Sequence, residues 1–111
     1  MVLIEIFRKN GKVVGYRGIG HSGYNEIGKD IVCAAISVIL QNPLVGMEYV
    51  LGIIPKYSIN HDGYLEVDLE KSNIQGKERE LEILIETMIA MMKSLVNEYP
   101  NNLKLVEKEV K

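Results

Sequence analysis

"GIGHSGYNEIGKDIVC" occupies residues 18–33, and its reading decides the fold. Gly18, Gly20 and Gly23 stand at G-x-G-x-x-G spacing. In a dinucleotide-binding α/β fold such glycines follow a parallel strand and open directly into a helix, with an acidic residue about 20 positions on. None of those conditions holds here. The helix signal comes late, with Asp30 as the N-cap of an apolar run that begins at Ile31. The strand before the glycines is the return strand of a hairpin, and residues 38–43 contain no carboxylate. The stretch is therefore read as a long loop joining a hairpin to a helix, and loops of that length in compact domains are often functional.

The flanking sequence sets the element order. Residues 2–8 are β-rich, with Val2, Ile4 and Ile6 on one face. Asn10-Gly11 is the preferred pair for a type I′ turn, because both central residues need positive φ. Residues 12–19 return as the second strand. After the loop, residues 31–41 form a helix that is apolar nearly all round and so expected to be buried on most sides. Asn42-Pro43 predicts a kink, or a short second helix over 43–51 ending at Gly52. A second hairpin follows over 56–60 and 64–70, turning at His61-Asp62-Gly63, with His61 solvated. "YLEVDLE" alternates strictly, as a strand with one buried face does. Residues 71–76 read as a linker. A long amphipathic helix spans 77–98, with Leu81, Leu84, Ile85, Met88, Met92, Leu95 and Tyr99 on one stripe. Residues 103–110 close as a strand. The order β-β-α-β-β-α-β is a two-layer α+β pattern, with a sheet against two main helices.

Composition narrows the function classes. The chain has 111 residues, of which 47% are hydrophobic and 25% charged, so one domain over 1–111 with a real core is expected. A domain of this size buries only about two-thirds of its unfolded surface, so dimerisation would help it. The net charge is −2 with no basic stripe, which argues against a nucleic-acid partner. A lone cysteine makes no internal disulfide and fits a reducing, cytoplasmic setting. The N-terminal segment reads as a strand rather than a signal peptide. The longest apolar run, 31–40, is about half of the roughly 20 residues a membrane span needs, so no membrane association is expected.

Two residues in the opening stretch carry chemistry. Cys33 is the third residue of its helix, where unpaired N–H groups and the positive helix end favour a thiolate. The Asp30 carboxylate works against that, and an ionised His21 offsets it. A free cysteine usually packs as a small buried apolar group, and His21 read alone is a surface loop residue. The Gly20–Lys29 loop is long enough to bring His21 back to Cys33, but the spacing does not prove that it does. Ser37 lies one turn beyond Cys33 on the same face and either lines the site or bonds within its own helix. Tyr24 and Asn25 contact a ligand or simply populate the loop. Two histidines and one cysteine so far apart make no metal site.

"GHSGYNEIGKDIVCAAIS" closely resembles the signature of the ribosomal-processing cysteine protease family, Prp. The likeness extends over nearly the whole chain: both hairpins, the G-H-x-G-Y loop, the D-I-V-C-A-A helix start and the final amphipathic helix. It implies a cytoplasmic, homodimeric cysteine endopeptidase that needs no cofactor and removes an N-terminal extension from large-subunit ribosomal protein twenty-seven. It makes Cys33 the nucleophile and His21 the base, and places Gly20, Gly23, Tyr24, Asp30 and Ser37 near the site. It also implies that the glycine loop is mobile and orders over bound substrate. In the mechanism expected of such a pair, backbone N–H groups at the helix start, including that of Cys33, serve the oxyanion. The apolar face of residues 81–99 is a candidate for part of the dimer interface, or a helix filling its own core. The competing class is a non-catalytic ribosome-assembly or peptide-binding module with Cys33 structural.

Overall fold

The computed structural model describes residues 1–60, 62–74 and 76–111. The expectation for His61 and one position of the expected linker, Gln75, lie outside these described residues. Two hairpins supply four strands. β1 (Val2–Lys9) and β2 (Lys12–Ile19) are joined by Asn10 and Gly11, whose φ values of 54° and 81° match the mirror-image turn expected of this pair. β3 (Ile54–Asn60) and β4 (Tyr64–Asn73) form the second hairpin. β5 (Leu103–Glu109) closes the sheet in the order β3-β4-β2-β1-β5, antiparallel except for β1 against β5. With α1 (Ile31–Val45) and α2 (Glu78–Glu98), the order β-β-α-β-β-α-β is as expected.

The pleat sorts the side chains. Ile4, Gly18, Leu65 and Ile59 form one cross-strand row, and Ile6, Tyr16, Val67 and Tyr57 the next. The helices cover all of these but the exposed Ile59 and Tyr57 of β3, with Val32, Ile36 and Leu40 from α1 and Leu81, Ile85, Met88, Ile89 and Met92 from α2. The α2 stripe is thus spent on the core, and only Ile83 and Met91 project from it as large exposed apolars. Gly18 belongs to β2 and is not a loop residue. A Cβ there would lie 2.6 Å from Leu40 Cδ1, so its bareness lets α1 settle onto the sheet.

Three expectations are corrected. The first helix does not stop at residue 41. It runs through Pro43 to Val45 and continues as a π-helical turn, η1 (Gly46–Val50), closed by Leu51 N–H to the Gly46 carbonyl and by Gly52 at φ 68°. Proline's φ is itself helical, and Pro43 is buried in the core, so packing offsets the hydrogen bond it cannot donate. The continuous segment Ile31–Val50 therefore has the length and apolarity of a membrane span, with mean hydropathy 1.6, unlike the half-length run expected. Val32, Ile36, Leu40, Leu44 and Met47 nevertheless bury one side of it in the core. The other side is bare: Ile31, Val38, Val45, Tyr49 and Val50 are exposed, up to 78% at Tyr49. Burial on most sides does not hold, because the sheet and α2 cover only one side. Third, β4 runs three residues into the expected linker. The Ser72 hydroxyl accepts the Lys56 N–H at 2.9 Å beside the β3 bulge, and Pro55 sits on this edge strand, where a missing donor costs least.

Candidate active site

The loop after β2 is organised by one carboxylate. Asp30 caps α1 in extended geometry, its Oδ1 accepting the Cys33 N–H at 2.9 Å. Its Oδ2 accepts the Ser22 hydroxyl at 2.5 Å and the N–H groups of Tyr24 and Asn25 at 3.0 and 3.2 Å. Burial pushes the Asp30 carboxyl up. The donors of Ser22, Cys33, Asn25 and Tyr24 outweigh that and hold it well below the usual carboxylate range. The residue expected as a cap is therefore also the hub that folds the loop. It engages the Cys33 N–H, so that group is not free to serve an oxyanion while the cap is in place.

Cys33 is half-buried, and Ser22 donates its backbone N–H to the sulfur at 3.2 Å. His21 and Cys33 line two adjoining cavities. One, of about 230 Å³, runs between Ser37 and Gln41 of α1 and Ile59, Asn60, Tyr64 and Leu65 of the second hairpin. The other, of about 300 Å³, lies under Asn25, Ile27 and Gly28 beside Asp30. The two side chains thus face common space, and no hydrogen bond joins them. Together they put a thiol, an imidazole and a hydrogen-bond donor beside the start of a helix, at a cavity between α1 and the second hairpin.

The remaining candidates fall as follows. Gly20 has φ 105°, and its N–H donates to the Gly63 carbonyl at 2.8 Å. Gly23 and Gly28 have φ of 70° and 90° with open space around them, and lie beyond His21 along the loop. Tyr24 is half-exposed, its ring edge-on to Tyr99 at 5.6 Å. The Asn25 side-chain oxygen Oδ1 accepts the Glu26 N–H at 2.8 Å. Ser37 lines the cavity of about 230 Å³, and its oxygen accepts from the Gln41 side chain at 2.6 Å.

Three positions escaped the sequence. Ser22 is 2% exposed and touches both Asp30 and Cys33; its place beside His21 was the available signal. Gly63, legible only as a turn glycine, comes close enough that a Cβ would lie 2.5 Å from the Gly20 oxygen and 3.2 Å from His21 Cε1. Asn102 donates from its side chain to the Ser22 carbonyl at 3.0 Å, and no local pattern marks it.

A family model described as cysteine protease Prp matches residues 1–104. The chain is 25% identical over 107 residues to the ribosomal processing cysteine protease Prp of Bacillus subtilis strain 168, covering 95% of this chain and 96% of that protein. It is 26% identical over 112 residues to the protein of the same name from Staphylococcus aureus strain NCTC 8325, covering 95% and 97%. Among solved structures, the essential ribosomal processing protease Prp from S. aureus, in complex with a covalently linked product peptide, has a TM-score of 0.84 at 24% identity, covering 97% of this chain and 100% of that one. SMU.848 from Streptococcus mutans has a TM-score of 0.81 at 22% identity, covering 99% and 96%.

Proposed function

The chain belongs to the cysteine protease Prp family, and from that membership we propose that it is a cytoplasmic endopeptidase with Cys33 as nucleophile and His21 as general base. Its proposed substrate is the N-terminal extension of large-subunit ribosomal protein twenty-seven. The observation that carries the reading is the shared cavity of His21 and Cys33, with the Ser22 N–H aimed at the sulfur. A thiol at a helix start that shares a cavity with an imidazole is the pairing a nucleophile and its base require.

The peptide lies in the cavity between α1 and the second hairpin. His21 takes the thiol proton, and Cys33 Sγ bonds to the scissile carbonyl carbon. Collapse of the tetrahedral adduct breaks the C–N bond, and the proton passes from His21 to the leaving amine. Water, deprotonated by His21, then attacks the thioester; the acid product leaves and the thiol is restored. The relative solved with a covalently linked product peptide is consistent with a covalent route. The protein acts as a homodimer in this reading, with a second copy covering the bare side of α1.

Mixing the protein with an extended substrate yields a new N-terminus, read by mass spectrometry. Cys33→Ala and His21→Ala each abolish that product while the far-UV spectrum stays unchanged. Cleavage by Cys33→Ala at the parent rate would sink the assignment. Binding without any cut by the parent protein would favour a peptide-binding module.

A further inference from the structure

All three polar groups of Ser22 are engaged. Its N–H goes to Cys33 Sγ at 3.2 Å and its hydroxyl to Asp30 at 2.5 Å. Its carbonyl accepts Asn102 Nδ2 at 3.0 Å. The first two ties run to the start of α1, the same segment that carries the thiol. The third comes from the turn between α2 and β5, eighty positions away in sequence. That turn is itself anchored: the Asn102 carbonyl accepts the Val2 N–H at 3.0 Å, and its N–H goes to the Tyr99 carbonyl at 3.1 Å. Tyr99 adds a second link to the loop through the Tyr24 ring. On the other side of His21, Gly20 is held to Gly63 at 2.8 Å. His21 thus sits between two fixed residues, and Asn102 supplies the hold on the Ser22 side from outside the loop.

We propose that Asn102 is a positioning residue for the peptidase reaction: its amide fixes Ser22, keeping the Ser22 N–H on the sulfur and the His21 backbone in place. The proposal rests on the reading of Cys33 as nucleophile. Asn102 touches neither the sulfur nor, in this arrangement, the substrate. Without its amide, Ser22 keeps its ties to the helix start and its hydroxyl's bond from the Tyr24 N–H at 3.2 Å, but its carbonyl loses the one partner that reaches it from β5's side of the fold. Misplacing reacting groups by about 1 Å can cost on the order of 100-fold in rate.

The test compares Asn102→Asp, nearly isosteric but without the donor, with Asn102→Ala. Both keep the backbone bonds of residue 102. Two readouts are taken on the full chain: kcat and KM for cleavage of an extended ribosomal-protein peptide, and the rate of Cys33 alkylation by iodoacetamide at pH 7. Both variants are expected to lose about 10- to 100-fold in kcat with little change in KM. Both are expected to alkylate more slowly, because the thiolate loses its aligned donor. A residue that merely stiffens the loop predicts the opposite, faster alkylation as the sulfur becomes more accessible. Asn102→Gln, which keeps an amide donor, recovers part of both rates. Parent-like or faster alkylation in Asn102→Asp overturns the proposal. Cleavage by Cys33→Ala overturns the nucleophile assignment instead. The alkylation measurement needs no substrate, so the two failures are distinct.

Discussion

Single atoms explain why glycine and aspartate stand where they do around Cys33. At Gly20 a Cβ would lie 2.6 Å from the Met1 carbonyl oxygen, and φ is 105°. The obstacle is backbone, which cannot rotate aside. Gly20→Ala is therefore expected to cost about 1–3 kcal/mol, the scale of forcing a non-glycine residue into such a conformation. It should also slow cleavage, since His21 is the next residue. A thermal melt beside a rate measurement checks both, and an alanine variant with parent stability would show that the first strand gives way easily. Gly23 carries no such obstacle, so steric crowding does not single it out. The difference between these glycines depends on what lies across the fold from each of them.

Among the elements, α1 carries the most information. Its inner side reaches the sheet through Gly18, and the Tyr16 hydroxyl donates to the Leu40 carbonyl at 2.7 Å. Its outer side leaves Ile31, Val38 and Val45 at seven-residue spacing, with Tyr49 following, all exposed. Apolar residues at that spacing form one stripe along a helix, the pattern of a surface that meets a partner. α2 was the other candidate for an interface, but its apolar stripe is used within the chain. Under the proposed homodimer, Val38→Glu with Val45→Glu is expected to lower the sedimenting mass toward that of a monomer without unfolding the chain, since both side chains point away from the core. A double variant that still sediments as a dimer would place the interface elsewhere.

Across the molecule, charge holds the open face of the sheet. Glu5 is 2% exposed although no helix covers it, because Arg17 and Lys108 lie over it from either side, the guanidinium at 2.6 Å. The Lys108 ammonium first and the Arg17 guanidinium second keep its carboxyl below the ordinary range, against an opposing push from burial. Arg8 similarly joins β1 to Glu86 on α2 and to Glu107 on β5, and both carboxyls are lowered. Asp30 shifts in the same direction. A carboxyl whose folded pKa lies below its unfolded value stabilises the fold fully above the unfolded value. That contribution is lost as pH falls toward the folded one. Urea midpoints should therefore be flat above about pH 5 and fall steadily below about pH 4. Glu5→Gln should shrink the acid slope and, at neutral pH, cost about 1–3 kcal/mol. The lower part of that range is expected, because Arg17 and Lys108 keep 32% and 53% of their side chains in water. An unchanged acid slope in Glu5→Gln would remove it from this account.

Local chemistry was enough for the element order, the Asn10-Gly11 turn, the Asp30 cap and the placing of Cys33 at a helix start. Each depends on residues within a few positions of one another, where backbone sterics and hydrogen bonding act directly. The passage of α1 through Pro43 was not legible, because it turns on whether buried contacts offset one missing donor. The half-bare helix was not legible either, because apolarity does not say how many neighbours arrive to cover it. The surroundings of the thiol belong to the same class. Ser22, Gly63 and Asn102 meet at His21 and Cys33 only because β4 lies beside β2 and β5 beside β1, and those pairings join segments distant in sequence. The proposed nucleophile and base are local features of one stretch, whereas the residues that surround them are brought there by the assembled sheet.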